Sequence, residues 1–343
     1  MASSVISSSS RLLLPRFCPT HWTEPFNGLK TITSVSFFSS NPPKTKPTRV
    51  LVTGGTDGIG KHAVLNLVRN NEKEYEVTFS GRNKDKAENL IKECRLINGD
   101  RKVDKMIADL SVDAEVAKFA KEIANKQFDI CIINHGVMHP SSPKTDNDRD
   151  ATMMTNLVSS YIIAQKIIAK STGRPIHFVF TTSKLIEMYP YNRFVGLYKD
   201  FNPENAVHWT ESCKGTESSS WKEYAISKMG MATLASSISA NKTLQNVTAT
   251  SVHPGVVDTN MLESFGKGRQ RRARILIKLF GTRVDVAGQN LIRAAEKPLE
   301  FGKFYKCHKP KSLPPTVYSN KTIEAFESAM KELSEKITGN AAQ

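Results

Sequence analysis

The sequence predicts an α/β protein: a doubly wound parallel sheet of about seven strands, with helices on both faces, built as a single domain. Three observations carry this. The run Arg49-Val-Leu-Val-Thr53 is short, apolar and β-branched, a glycine-rich turn follows it at once, and Lys61 to Arg69 then repeats its apolar residues at helical spacing. Strand and helix patterns keep alternating to the end of the chain. Finally, 343 residues with 39% hydrophobic content are enough to bury one large core.

Taken in order, Glu76 to Ser80 reads as strand two, Lys84 to Asn98 as a polar-faced helix and Lys102 to Ala108 as strand three. Asp129 to Asn134 is the most apolar of these strands, so a central, buried position is expected for it. Asp150 to Ala169 reads as a helix, Pro175 to Ser183 as the next strand and Val247 to Val252 as strand six. Thr282 to Ala295 is the helix before the last strand, Phe301 to Cys307, and Asn320 to Gly339 closes the chain as a helix.

Residues 1–47 do not share this pattern. Met1-Ala-Ser-Ser-Val-Ile-Ser-Ser-Ser-Ser-Arg11 is Ser-rich, and Arg11, Arg16, Lys30, Lys44 and Lys46 stand against Glu24, the composition of an organelle presequence. Phe37-Phe-Ser-Ser40 before Asn41-Pro-Pro resembles a mitochondrial processing region, whereas the opening Met-Ala-Ser-Ser resembles a plastid transit peptide. Both addresses stay open. No apolar stretch reaches the ~18 residues a membrane-crossing helix needs. Cys18, Cys94, Cys131, Cys213 and Cys307 lie far apart without a CxxC pair, which argues for free thiols and against a disulfide framework or a metal site. The net charge of +15 raises nucleic acid as a partner, but the basic residues are scattered and no nucleic-acid-binding motif accompanies them, so none is expected.

Two motifs carry chemistry. Gly54-Gly-Thr-Asp-Gly-Ile-Gly60 sits between strand and helix, where its backbone can approach a pyrophosphate and the helix N-terminus offers free N–H groups and a positive dipole end. Tyr224 and Lys228, four residues apart, share one face of a helix, so the ammonium is expected to lower the phenol's pKa toward neutrality and make it a proton donor. With glycine spacing G-x-x-x-G-x-G followed downstream by Y-x-x-x-K, the chain resembles the short-chain dehydrogenase/reductase superfamily from about Thr48 to Gly339. Within it the resemblance is to retinol dehydrogenase-like enzymes and the X-linked dehydrogenase/reductase type.

That resemblance implies a Rossmann-type fold over residues 48–339, NADP(H) as cofactor and a site that can be carried over residue by residue. Thr53, Gly54, Gly58, Ile59 and Gly60 would form the dinucleotide turn. Arg82 ends strand two where the family tests the adenosine ribose; an Arg there suits a 2′-phosphate, so NADP(H) is expected over NAD(H). Asp109 and Leu110 stand at the adenine edge. Asn134 and Gly136 match the end of the family's Asn-Asn-Ala-Gly strand, although Ile133 replaces its first Asn and His135 its Ala. Asn156 falls at the catalytic Asn, whose relatives fix a proton-relaying water. Ser183 falls at the catalytic Ser, with Thr182 as the neighbouring competitor. Pro254, Gly255, Val257 and Thr259 match the turn that fixes the nicotinamide.

Two segments depart from compact relatives. Residues 189–220 form an insert expected to shape the substrate mouth, and Tyr189, Tyr191 and Tyr198 within it are alternative phenols. Residues 259–282 form a substrate lid whose run from Lys267 to Phe280 is basic and then apolar, without one acid. It suits either peripheral contact with an anionic membrane or closure over a substrate, and both readings favour a lipophilic one. The expected function is NADP(H)-dependent interconversion of a retinoid- or polyprenoid-like alcohol and its aldehyde or ketone. The alternative is a nucleotide-binding scaffold or regulator with little turnover.

Overall fold

A computed structural model describes residues 46–139, 143–147, 149–171, 173–188, 219–257 and 281–339. The 1–45 part of the presequence, 189–218 of the insert with Tyr189, Tyr191 and Tyr198, and 258 together with 259–280 of the lid, Thr259 included, lie outside the described residues.

The elements run β1 (Thr48–Thr53), α1 (Gly58–Arg69), β2 (Tyr75–Gly81), α2 (Lys84–Ile97), β3 (Val103–Ile107), α3 (Asp113–Ala124) and β4 (Ile130–Ile133). Then come α4 (Ala151–Met153), a π turn (Met154–Val158), α5 (Ser159–Lys170), β5 (Ile176–Thr181), α6 (Leu185–Met188), α7 (Ser219–Ala240) and β6 (Val247–His253). The chain finishes with α8 (Val284–Glu296), β7 (Lys303–Lys306), β8 (Lys309–Ser312), α9 (Pro315–Tyr318) and α10 (Asn320–Thr338).

The eight strands form one sheet in the order β3-β2-β1-β4-β5-β6-β7-β8, parallel throughout except for the last pair. A βαβ chain can pack back on its sheet only by right-handed crossovers, so running outward from β1 to β3 and then restarting at β4 puts the two halves' helices on opposite faces. One face buries Leu67, Phe79, Leu90 and Leu291 under α1, α2 and α8. The other buries Phe119, Ile162, Phe178, Phe180, Leu234 and Phe326 under α3, α5, α7 and α10. At the reversal between β1 and β4 the loops part above the carboxyl ends of the strands, and there an open α/β sheet forms its crevice.

Two sequence expectations need correction. The sheet has eight strands rather than seven, because Lys-Pro-Lys-Ser at 309–312 pairs antiparallel with β7 through a two-residue turn. All four residues are exposed and one is proline, so no apolar alternation marks them as a strand. The segment expected as one helix from Asp150 to Ala169 is interrupted by the π turn at Met154–Val158. Side-chain demands on Asn156, described below, override the helical repeat at that point.

Candidate active site

The crevice is floored by the end of β1 and the end of β4. Thr53 is fully buried and its hydroxyl accepts the Asn134 amide at 3.0 Å, which joins the two strand ends. Gly54 has φ +64 and Gly58 φ +51, both in the left-handed region where a side chain would be strained. Asp57 caps α1 by accepting the Gly58 amide at 2.8 Å, and no acidic residue follows in the first turn to repel an anion. A Cβ at Gly136 would stand 3.0 Å from Lys228 Nζ and 3.1 Å from Asn156 Oδ1, so glycine there leaves the floor beside both side chains open. These features fit a dinucleotide, which Gly54, Gly58, Ile59 and Gly60 would hold by its phosphates, with Gly136 leaving room beside Lys228.

Along β2 the chain ends at Gly81, whose Cβ would collide with Thr56 at 2.4 Å, so the exposed Arg82 is held next to the glycine turn. Asp109 turns one carboxylate oxygen to the Ser111 amide at 3.0 Å and hydroxyl at 2.7 Å, while Leu110 is buried beside it. At the far side, Asn290 on α8 donates to the Pro254 carbonyl at 3.0 Å and Thr282 donates its amide to Val256 at 2.8 Å. Gly255 follows Pro254 at φ +124, and Val257 is the last described residue of that turn.

Four side chains expected to do chemistry come together at the carboxyl ends of β4 and β5. Tyr224 is 7% exposed and its hydroxyl shares a hydrogen bond with Ser183, not with Thr182, which is buried behind it in sequence. Lys228 lies 5.7 Å from the Tyr224 ring centroid and donates to the Thr181 carbonyl at 3.0 Å. Asn156, wholly buried, accepts the Val137 amide at 2.7 Å and donates to the Val137 carbonyl and to Ser227 Oγ, each at 2.9 Å. Ser227 in turn donates to the Tyr224 carbonyl at 2.8 Å, so Asn156 clamps the β4 loop to the helix that carries Tyr224 and Lys228. On the same helix, a Cβ at Gly230 would meet the end of the Leu157 side chain at 2.4 Å, so a larger residue there would have to displace that side chain from between α7 and the π turn.

The electrostatics differ from the sequence expectation. Burial pushes the Tyr224 phenol up to about 12, the Ser183 hydrogen bond only partly opposing it. Burial likewise pulls Lys228 down to about 8. The ammonium was expected to lower the phenol; instead it points at Thr181, and desolvation, which penalises the charged form of both groups, wins. At neutral pH the pair is therefore a protonated phenol over a protonated amine. Sequence reasoning missed Ser227 and Asn290. Ser227 lies inside the Tyr-Lys motif, one residue before Lys228, and Asn290 is a polar residue on the apolar stripe of α8; each position was a visible anomaly.

The doubly wound sheet gathers Ser183, Tyr224, Lys228 and Asn156 over its carboxyl edge. The chain resembles the short-chain dehydrogenase/reductase superfamily: residues 48–194 match the family model "short chain dehydrogenase". It is 28% identical over 215 residues to a short-chain dehydrogenase of Penicillium rubens, covering 62% of this chain and 72% of that one. It is 24% identical over 267 residues to the polyprenol dehydrogenase of Homo sapiens, covering 76% of each. A short-chain dehydrogenase of Burkholderia cenocepacia crystallised with NADP superposes with a TM-score of 0.55 at 21% identity, over 76% of this chain and 96% of the other.

Proposed function

We propose that this chain is an NADP(H)-dependent oxidoreductase that interconverts a retinoid- or polyprenoid-like alcohol and its aldehyde or ketone. The observation that carries it is the buried Tyr224 hydroxyl bonded to Ser183 with Lys228 under its ring. The NADP in the Burkholderia neighbour and the name of the human relative support the same reading. The dinucleotide, when bound, supplies the hydride. Ser183 donates a hydrogen bond to the substrate oxygen as charge gathers there, and Tyr224 gives it the proton. Lys228 holds the ribose and, through its charge, favours the phenolate left behind. Asn156 anchors the water by which the proton is replaced. Titration with NADPH and NADH, followed by a screen of lipophilic aldehydes, tests this; tight NADPH binding without turnover of any of them would leave only the scaffold.

Cofactor choice rests on Arg82. A guanidinium can grip a 2′-phosphate bidentately, worth about 1.5–3 kcal/mol as a charge-assisted hydrogen bond. Arg82→Asp is expected to turn preference toward NADH, read as the ratio of the two dissociation constants. Equal affinity of the wild type for NADH and NADPH would defeat the assignment.

The depressed Lys228 sets a pH limit. The ammonium is the working form and is present below about 8, so kcat/KM for carbonyl reduction is expected to fall as pH rises through that value. Lys228→Arg, which stays charged, should move the alkaline limb upward even if its maximum is lower. A limb unmoved by this substitution would assign the titration to another group.

Residues 1–47 are proposed to direct the chain to a mitochondrion or plastid, and 267–280 to touch an anionic membrane there. Among the described residues no helix is long and apolar enough to cross a membrane. Co-sedimentation is expected with vesicles containing anionic lipid, weakened by salt and lost when Arg269, Arg271, Arg272 and Arg274 become Ser. Equal binding to neutral vesicles would leave the segment as a lid.

A further inference from the structure

The residue that departs most from the family pattern sits at the centre of the site. His135 is 7% exposed and its ring bridges the end of β1 and the start of α5. Nδ1 lies 2.7 Å from Thr53 Oγ1 at the end of β1. Nε2 lies 2.8 Å from Ser159 Oγ and 3.3 Å from Ser160 Oγ, at the start of α5. On its backbone side, a Cβ on Gly54 would fall 2.7 Å from the His135 Cα, so the glycine turn rests on this residue.

The protons in this chain can be placed by elimination. Ser159 Oγ donates to the Thr155 carbonyl and Ser160 Oγ to the Asn156 carbonyl, each at 2.7 Å, and a hydroxyl has one proton to give. Both serines therefore turn lone pairs to the imidazole, and Nε2 carries the ring proton. Nδ1 must then accept, and Thr53 Oγ1 gives its proton to it at 2.7 Å in preference to the Ile132 carbonyl at 3.5 Å, while taking the Asn134 amide on its own lone pair. The chain runs from the Asn134 amide through Thr53, His135 and Ser159 to the Thr155 carbonyl. Its last link falls inside the π turn, one residue from Asn156. Burial pulls the imidazole down to about 3, with the nearby Lys228 charge adding to the effect, so the ring is neutral at working pH and moves no proton itself.

We propose that His135 is a positioning residue that ties the glycine turn to the π turn bearing Asn156, so that the dinucleotide end and the proton-relay end of the site respond as one body. It takes over strand-end hydrogen bonding that Ile133, an apolar core residue here, cannot provide. Dinucleotide binding at Thr53 and Gly54 then tightens the carbonyls at Thr155 and Asn156 through a ring with one fixed tautomer. A ring that merely filled space would transmit nothing. This rests on the dinucleotide reading above, and its test separates the two.

In the free protein, ¹⁵N spectra of labelled histidine should show His135 as the neutral Nε2–H tautomer, without titration between about pH 5 and 9. The Nδ1–H tautomer, or a titration in that range, overturns the proposal whatever the cofactor. Hydrogen exchange is then followed at the 154–158 amides with and without NADPH. Wild type should gain protection there on binding. His135→Ala, and His135→Phe, which keeps a ring but neither hydrogen bond, should still bind NADPH yet lose most of that gain, by about tenfold or more in exchange rate. His135→Phe keeps the test open should His135→Ala fail to fold. Undiminished protection in a folded variant overturns the proposal. Failure of wild type to bind NADPH would instead overturn the cofactor reading, with the tautomer measurement still deciding the hydrogen-bond chain.

Discussion

Tyr224→Phe is expected to cut reduction of a lipophilic aldehyde by about 10²–10⁴-fold, the usual contribution of a positioned acid. The substitution removes one hydroxyl from a buried ring and keeps its volume. Lys228 still donates to the Thr181 carbonyl, and Asn156 still bonds Val137 and Ser227, since none of these contacts involves the phenol oxygen. NADPH affinity should therefore stay within a few-fold of wild type, with the loss confined to kcat. The phenol's high pKa sharpens this. Held up to about 12, Tyr224 is protonated throughout the neutral range, and the proton it would give to a carbonyl oxygen is present in nearly every molecule. Single-turnover rates, with binding measured separately by cofactor fluorescence, make the split visible. Near-normal turnover by the variant would remove Tyr224 from the mechanism and send the search to Tyr189, Tyr191 and Tyr198.

Gly60→Ala should do more damage than its single methyl suggests. The new Cβ would lie 2.2 Å from the Gly54 carbonyl oxygen and 2.5 Å from Asn134 Nδ2. The first is backbone of the glycine turn and cannot rotate away, as a flexible side chain could. Either α1 backs off from the strand ends or the turn itself shifts, and both misplace the N–H groups meant for phosphate. Overpacking of this kind costs about 1–3 kcal/mol, and each 1.4 kcal/mol of it that falls on the bound state is about tenfold in affinity. Gly99→Ala is the control, since its Cβ would find only the Arg95 carbonyl at 3.6 Å. Urea midpoints and NADPH dissociation constants for the two variants should diverge. Wild-type values for Gly60→Ala would mean that α1 is not held against the turn as described.

The sequence alone determined the α/β class and the succession of β1 to β7 along the chain, and it named Asn156, Ser183, Tyr224 and Lys228, which the fold brings together. Hydrophobic period and glycine placement are local signals, and Tyr224 and Lys228 share a helical face whatever surrounds them. Tertiary structure decided what depends on neighbours distant in sequence. The direction of the Tyr224 shift could not be read from a four-residue spacing, because it is set by how much water the fold removes and by where Thr181 draws the ammonium. The π turn was hidden because Asn156 reads as one more helical residue until Val137 and Ser227 pull its side chain from two sides. β8 was hidden because an exposed Lys-Pro-Lys-Ser strand has no buried face to leave a period in the sequence. His135 was legible only as a departure from a pattern. Its meaning lies in Thr53 and Ser159, residues 82 and 24 positions away that only folding brings within a hydrogen bond of one imidazole.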